Sequence, residues 1–223
     1  MTTIPNMVGK PTQPFSDVEV QTARDDSQDI WTLSNDVLYK LCQDYPGNSN
    51  LQEVVTKVMI IGKTQSAPIE RRHTSFFPKI KAEDYYKKVA DEITTLDLDA
   101  ELHGMRCTEP SELKDLTPTL YMHQKIVGAV EKFSKNRHRS FASKYLHFHA
   151  PNWFFIFDSI ATGALSKQVP RPDDDVALSG IGDDNYRDFV QRAWGLCEQL
   201  GHPRLTPREL DRLLYKRGLA TQE

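Results

Sequence analysis

Apolar positions along this chain recur mostly at helical spacing. Val37, Leu38, Leu41, Cys42 and Tyr45 mark a helix over residues 34–45, with Ser34 or Asn35 as candidate cap and Pro46-Gly47 as stop. Leu51, Val54, Val55, Val58 and Met59 mark a second, ending near Gly62, and Tyr86, Val89 and Ile93 a third over 82–94. Thr117-Pro118 opens a long helix to Lys135 whose inward stripe is Leu120, Ile126, Val127, Val130 and Phe133. Shorter helices follow over 141–149 and 159–166, the latter capped by Asp158. Another over 186–200 stops at Gly201. Thr206-Pro207-Arg208-Glu209 reads as a capping box opening a last helix with Leu210, Leu213 and Leu214 inward. No period-two series and no internal repeat is present. The expected class is all-α, about eight helices in one compact, two-lobed unit over 29–223. The polar, Pro-containing segment 1–28 is expected to be an N-terminal arm.

Composition narrows the picture. With 39% hydrophobic residues in 223, a sizeable core is possible. No apolar run approaches a membrane span, and the N-terminal stretch lacks a signal-peptide pattern, so a cytoplasmic protein is expected. Cys42, Cys107 and Cys197 are far apart and fit reduced thiols; no metal site and no cofactor is expected. Net charge is -3, which argues against a nucleic-acid binder until its distribution is considered. Lys132, Lys135, Arg137, Arg139 and Lys144 run without an acid between them, while acids gather at Asp173–Asp175, Asp183 and Asp184. A surface polarised in this way can bind a polyanion despite its negative sum.

The candidate chemistry lies between Arg139 and Leu165. Asp158 follows Phe154, Phe155, Ile156 and Phe157, so it is expected to be poorly solvated, which makes its charge state an energetic matter. It reads either as a plain helix N-cap or as a group that activates water and stabilises a developing cation, and both can hold at once. Lys144 reads as a snorkelling lysine or as an amine nucleophile for a sugar C1′. Gln65 or Thr64 can read a base edge, with Arg71 on a phosphate, or the segment is a solvated turn. Arg208 and Arg212 lie on a basic stripe of the last helix, solvated or on phosphate. Trp153 and Phe154 are candidates to stack on an extruded base, though such aromatics are more often core. Leu178-Ser179-Gly180-Ile181-Gly182 has the look of a phosphate-binding hairpin, but its acidic flanks favour a plain loop.

The run S-F-A-S-K-Y-L-H-F-H-x-P-x-x-F-F-I-F-D-S over residues 140–159 resembles the Lys-to-Asp segment of the helix-hairpin-helix DNA glycosylase superfamily, in a divergent bacterial branch. I-x-x-T-x-x-A-x-I-E-R-R over residues 61–72 is similar to that branch's pocket-lining helix-turn. The resemblance implies an all-α, two-lobed fold with a base pocket between the lobes, Asp158 driving glycosidic cleavage, and Lys144 as the nearest match to the nucleophile of bifunctional members. The short Lys-to-Asp interval favours a monofunctional enzyme. The expected activity is excision of a damaged or modified base, such as a glucosylated cytosine of phage DNA, in host repair or antiviral defence. Gln65, Tyr121, Trp153 and Phe154 are expected to line the pocket. Lys132, Lys135, Arg137, Arg139, Arg71, Arg208 and Arg212 are expected to hold the backbone of double-stranded DNA, with the protein a monomer. The alternative is a non-catalytic nucleic-acid or protein-binding module on such a scaffold.

Overall fold

The computed structural model describes residues 13–25, 27, 29–70, 81–134, 136–170, 178–201 and 203–220. Ten α-helices and no strand occur among the described residues: α1 (Asp17–Arg24), α2 (Thr32–Asp44), α3 (Leu51–Thr64), α4 (Ala82–Thr94), α5 (Asp99–Arg106), α6 (Thr117–Glu131), α7 (Arg139–His149), α8 (Ser159–Gln168), α9 (Asp184–Gln199) and α10 (Pro207–Ala220). The all-α expectation therefore holds. Two short helices, α1 and α5, and a 3-10 turn over Leu113–Leu116 add to the expected set.

The helix ends follow local chemistry. Asp158 caps α8 through a hydrogen bond from the Ala161 amide, and Thr206 and Glu209 cap α10 reciprocally. The segment expected to be an arm contains α1, capped by Ser16 and Glu19. Phe15, Val20 and Ala23 are buried, and Arg217 of α10 pairs with Glu19 at 2.7 Å. An eight-residue helix carries too few periods to declare itself in sequence, and its docking on α10 is a tertiary event.

Helix α7 departs most from expectation. Every residue from Phe141 to His149 is buried, so it is a central helix rather than an amphipathic one. It packs against α2, α3 and α6. Two apolar clusters meet beside it. One gathers Leu38, Val58, Tyr85, Ile126, Tyr145 and Phe154, and the other Leu120, Phe155, Leu165, Phe189 and Leu213. The chain from Phe154 to Asp158 belongs to no helix, and its successive side chains go to opposite sides. Phe154 enters the first cluster and Phe155 the second, and the segment ends at Asp158, the cap of α8.

Helix α10 closes tightly on α8. A Cβ at Gly218 would sit 2.6 Å from Ile160 Cγ2 and 3.2 Å from Ile160 O. Gly218→Val is expected to cost about 2 kcal/mol through overpacking, read as a lower urea midpoint.

Candidate functional site

A cleft of about 420 Å³ opens where α2, the end of α3, α7, the start of α8 and α10 converge. Lys144 and Asp158 face each other in it, Nζ to Oδ2 at 3.7 Å, with side chains 8% and 22% exposed. The two Asp158 oxygens have separate roles. Oδ1 accepts the Ala161 amide at 2.8 Å, which fixes the carboxylate on the N-terminus of α8, while Oδ2 is left toward Lys144.

Lys144 is not a snorkelling side chain. Its ammonium donates to the Gln65 carbonyl at 2.8 Å, inside the cleft wall. That carbonyl is presented by the end of α3, where Ser66 takes φ 51° and the Ala67 amide reaches back to the Gly62 carbonyl at 3.2 Å. This is the left-handed stop more often made by glycine. The Gln65 side chain donates to Asn35 Oδ1 at 3.2 Å, and Asn35 Nδ2 has no hydrogen-bond partner. Asn35 was a candidate cap; α2 starts earlier, at Thr32, and carries Asn35 into the cleft wall.

Also lining the cleft, Arg208 bridges two acids, donating to Asp211 Oδ2 at 2.6 Å and to Asp29 Oδ2 at 2.7 Å. Burial pushes the Asp211 carboxyl up to about 6 against the pull of Arg208, and the charges of Asp158 and Asp29 add to the rise. Trp31, 44% exposed, and Tyr215 complete the aromatic lining.

The structure brings together Asp158, Lys144, Gln65, Arg208 and Arg212 at this cleft. It does not bring Tyr121, Trp153 or Phe154 there. Tyr121 is 51% exposed on α6, outside the cleft lining. Phe154 is fully buried in the first apolar cluster. Trp153 packs against both clusters and donates its indole N–H to the Thr108 carbonyl at 2.9 Å. Burial of a continuous aromatic run outweighs display of it.

The expected phosphate anchors make internal contacts. Lys132 pairs with Glu92. Arg139 grips Asp183 through two hydrogen bonds, at 2.6 and 2.9 Å, and Arg137 joins the same carboxylate at 3.0 Å. Burial would raise the Asp183 carboxyl, but the hydrogen bonds from Arg139 and the Tyr186 amide prevail and hold it below the usual range. Arg212 donates to the Ala23 carbonyl at 2.7 Å. Arg71 and Lys135 lie outside the described residues. The loop before α9 places Gly180 and Gly182 at φ 76° and 67°, and a Cβ on Gly182 would press on Leu120 at 3.0 Å.

Asp29, Trp31, Asn35, Asp211 and Tyr215 had no place in the sequence reading of the site. Asp211 carried one signal, its i+3 spacing from Arg208, but that spacing reads equally as a solvated ion pair. Among the described residues no group of three or more His, Cys, Asp or Glu side chains is arranged to hold a metal, and no helix is long and apolar enough to cross a membrane.

A family model described as the HI_0787_N N-terminal domain matches residues 17–153, more than half of the chain. The chain belongs to this family. The HI_0787_N match takes in α1 to α7, and with them Asn35, Gln65 and Lys144, and ends before Asp158 and the helices α8 to α10. The cleft is thus built from an HI_0787_N wall and a wall contributed by the remainder of the chain. No curated protein and no solved structure matches it.

Proposed function

We propose that this HI_0787_N-family protein is a monofunctional DNA N-glycosylase, in which the two apolar clusters form two lobes and the cleft between them takes a flipped, modified or damaged base. The observation that carries the reading is Asp158 paired with Lys144 at 3.7 Å in a cleft of about 420 Å³. A carboxylate fixed on a helix N-terminus by one oxygen, with the other turned into the cleft beside Lys144, is suited to stabilise an oxocarbenium-like sugar and to orient a water. Lys144 is held by a carbonyl and a carboxylate, which suits positioning of Asp158 better than attack on a sugar. Trp31 and Tyr215 offer faces on which a base can stack, and Gln65 and Asn35 offer amides to its edge. The resemblance of residues 140–159 to glycosylases of the helix-hairpin-helix superfamily points the same way.

One observation favours a second reading, a binding module in which Asp158 is only a cap. Lys132, Arg137, Arg139 and Arg208 are paired with acids, which lowers the net field available to a DNA backbone. The test between them is a survey of genomic DNAs with different base modifications, each incubated with the protein and probed for aldehyde-reactive abasic sites. The glycosylase reading expects abasic sites in at least one modified DNA. Their absence from all, with DNA still bound, supports the module.

A further inference from the structure

Cleavage of an N-glycosidic bond has two demands, a cation to be stabilised on the sugar and a negative leaving base to be neutralised. Asp158 answers the first, and the Lys144 ammonium is already engaged by the Gln65 carbonyl and by Asp158. The same cleft carries a second acid in a different environment. Asp211 sits on α10, a helix packed directly across α8, and lines the same cleft as Asp158. Its Oδ2 is occupied by Arg208 at 2.6 Å, but the same guanidinium is shared with Asp29, so one cation serves two carboxylates.

Resting on the glycosylase reading, we infer that Asp211 is the general acid that protonates the departing base while Asp158 serves the sugar and the incoming water. The C1′–N bond breaks with its electron pair on the base nitrogen, and the Asp211 proton passes to the base. Water bonds to C1′ and yields its proton to Asp158, Asp158 then releases that proton to solvent, and Asp211 is reprotonated from solvent. One water is consumed and one free base and one abasic sugar are formed.

The surroundings favour this division of labour. Asp211 shares the cleft lining with Arg208, Arg212, Tyr215 and Lys216 of its own helix, and the charges of Arg208, Asp158, Lys144 and Asp29 reach it. Burial, Asp158 and Asp29 hold its proton to about 6, two units above an ordinary aspartic acid, against Arg208 and Lys144. DNA phosphates brought to the cleft act in the same direction, toward neutral pH. A proton donor performs best when its pKa lies near the working pH. Asp211 and Asp158 line one cleft, the arrangement that an acid and its partner carboxylate need.

The test is the single-turnover rate of base release from pH 5 to 9 for the wild type, Asp211→Asn and Asp211→Glu, with melting temperatures to show that each is folded. The wild-type rate is expected to fall on the alkaline side. Asp211→Asn is expected to lose about a hundred-fold or more and to lose that alkaline limb, with partial recovery in Asp211→Glu. A halogen-bearing analogue of the excised base, a better leaving group, is expected to rescue Asp211→Asn and not Asp158→Asn. If Asp211→Asn keeps its rate within a few fold and retains the alkaline limb, Asp211 is not the acid, while the glycosylase reading stands. If the wild type releases no base from any DNA, the glycosylase reading fails and the role of Asp211 falls with it.

Discussion

Asp158→Asn is expected to reduce base release by about a thousand-fold while leaving the melting temperature close to that of the wild type. The separation follows from the two oxygens of Asp158. Oδ1 caps α8, and an asparagine oxygen accepts the same Ala161 amide about as well. Oδ2 faces Lys144, and the substitution replaces that oxygen or its charge with a neutral amide. Lys144 keeps its bond to the Gln65 carbonyl, which limits the cost of losing its partner. Asp158→Ala, by contrast, removes cap and charge together and is expected to lower stability by about 1 kcal/mol as well as activity. Melting curves and single-turnover release on the same samples distinguish these. If Asp158 is only a cap, Asp158→Asn changes neither quantity.

A second large effect concerns acid. His123, His147 and His149 are all buried, and burial holds each of them neutral. His123 is lowered to about 4, despite a contact between its Nε2 and the Arg139 carbonyl, and His147 to about 3, despite one between its Nδ1 and the Phe154 carbonyl. His149 has no hydrogen-bond partner on either ring nitrogen among the described residues, and burial lowers it well below the usual value. A base whose folded pKa is depressed binds more protons in the unfolded chain, so stability is full above 6.5 and declines as the pH falls below it. At pH 5 each of these histidines costs about 2 kcal/mol. Asp211 opposes them, because its folded pKa is raised: its burial destabilises the fold at neutral pH, and protonation below about 6 returns roughly 1 kcal/mol at pH 5. The net expectation is a loss on the order of 5 kcal/mol between pH 7.5 and pH 5, measured by urea unfolding at each pH. Equal stability at the two pH values would show that these histidines charge without unfolding the protein.

The long helices were legible because each buries one stripe. Of the predicted inward set of α6, Leu120, Ile126, Val127 and Val130 are buried, while Phe133 lies past the end of the helix and is half-buried; the caps at Asp158 and Thr206 form as their residue types imply. Helix α7 misled, since S-F-A-S-K-Y-L-H-F-H alternates polar and apolar residues while the fold encloses both. Some of its polar groups find distant partners: Ser143 Oγ accepts the Phe157 amide at 3.0 Å, and Tyr39 meets His147 at 2.7 Å. Such partners lie far away in sequence, and no local pattern announces them.

Of the site, Asp158, Lys144 and Gln65 were legible because their neighbours in sequence also shape the cleft. Asp29, Trp31, Asn35 and Asp211 were not, because only the packing of α2 and α10 onto the ends of α3, α7 and α8 brings them there. Trp153 and Phe154 erred in the other direction. An aromatic run beside a reactive acid looks like a stacking platform, yet alternation along the extended segment sends Phe154 and Phe155 into separate cores.

The most direct measurement is mass spectrometry of what the protein releases from modified DNA, counted against the abasic sites left behind in the same tube. The account predicts an intact free base, in equal number with the abasic sites, from wild-type protein and almost none from Asp158→Asn. Undiminished release by Asp158→Asn, or no free base from any DNA that the wild type binds, would contradict it.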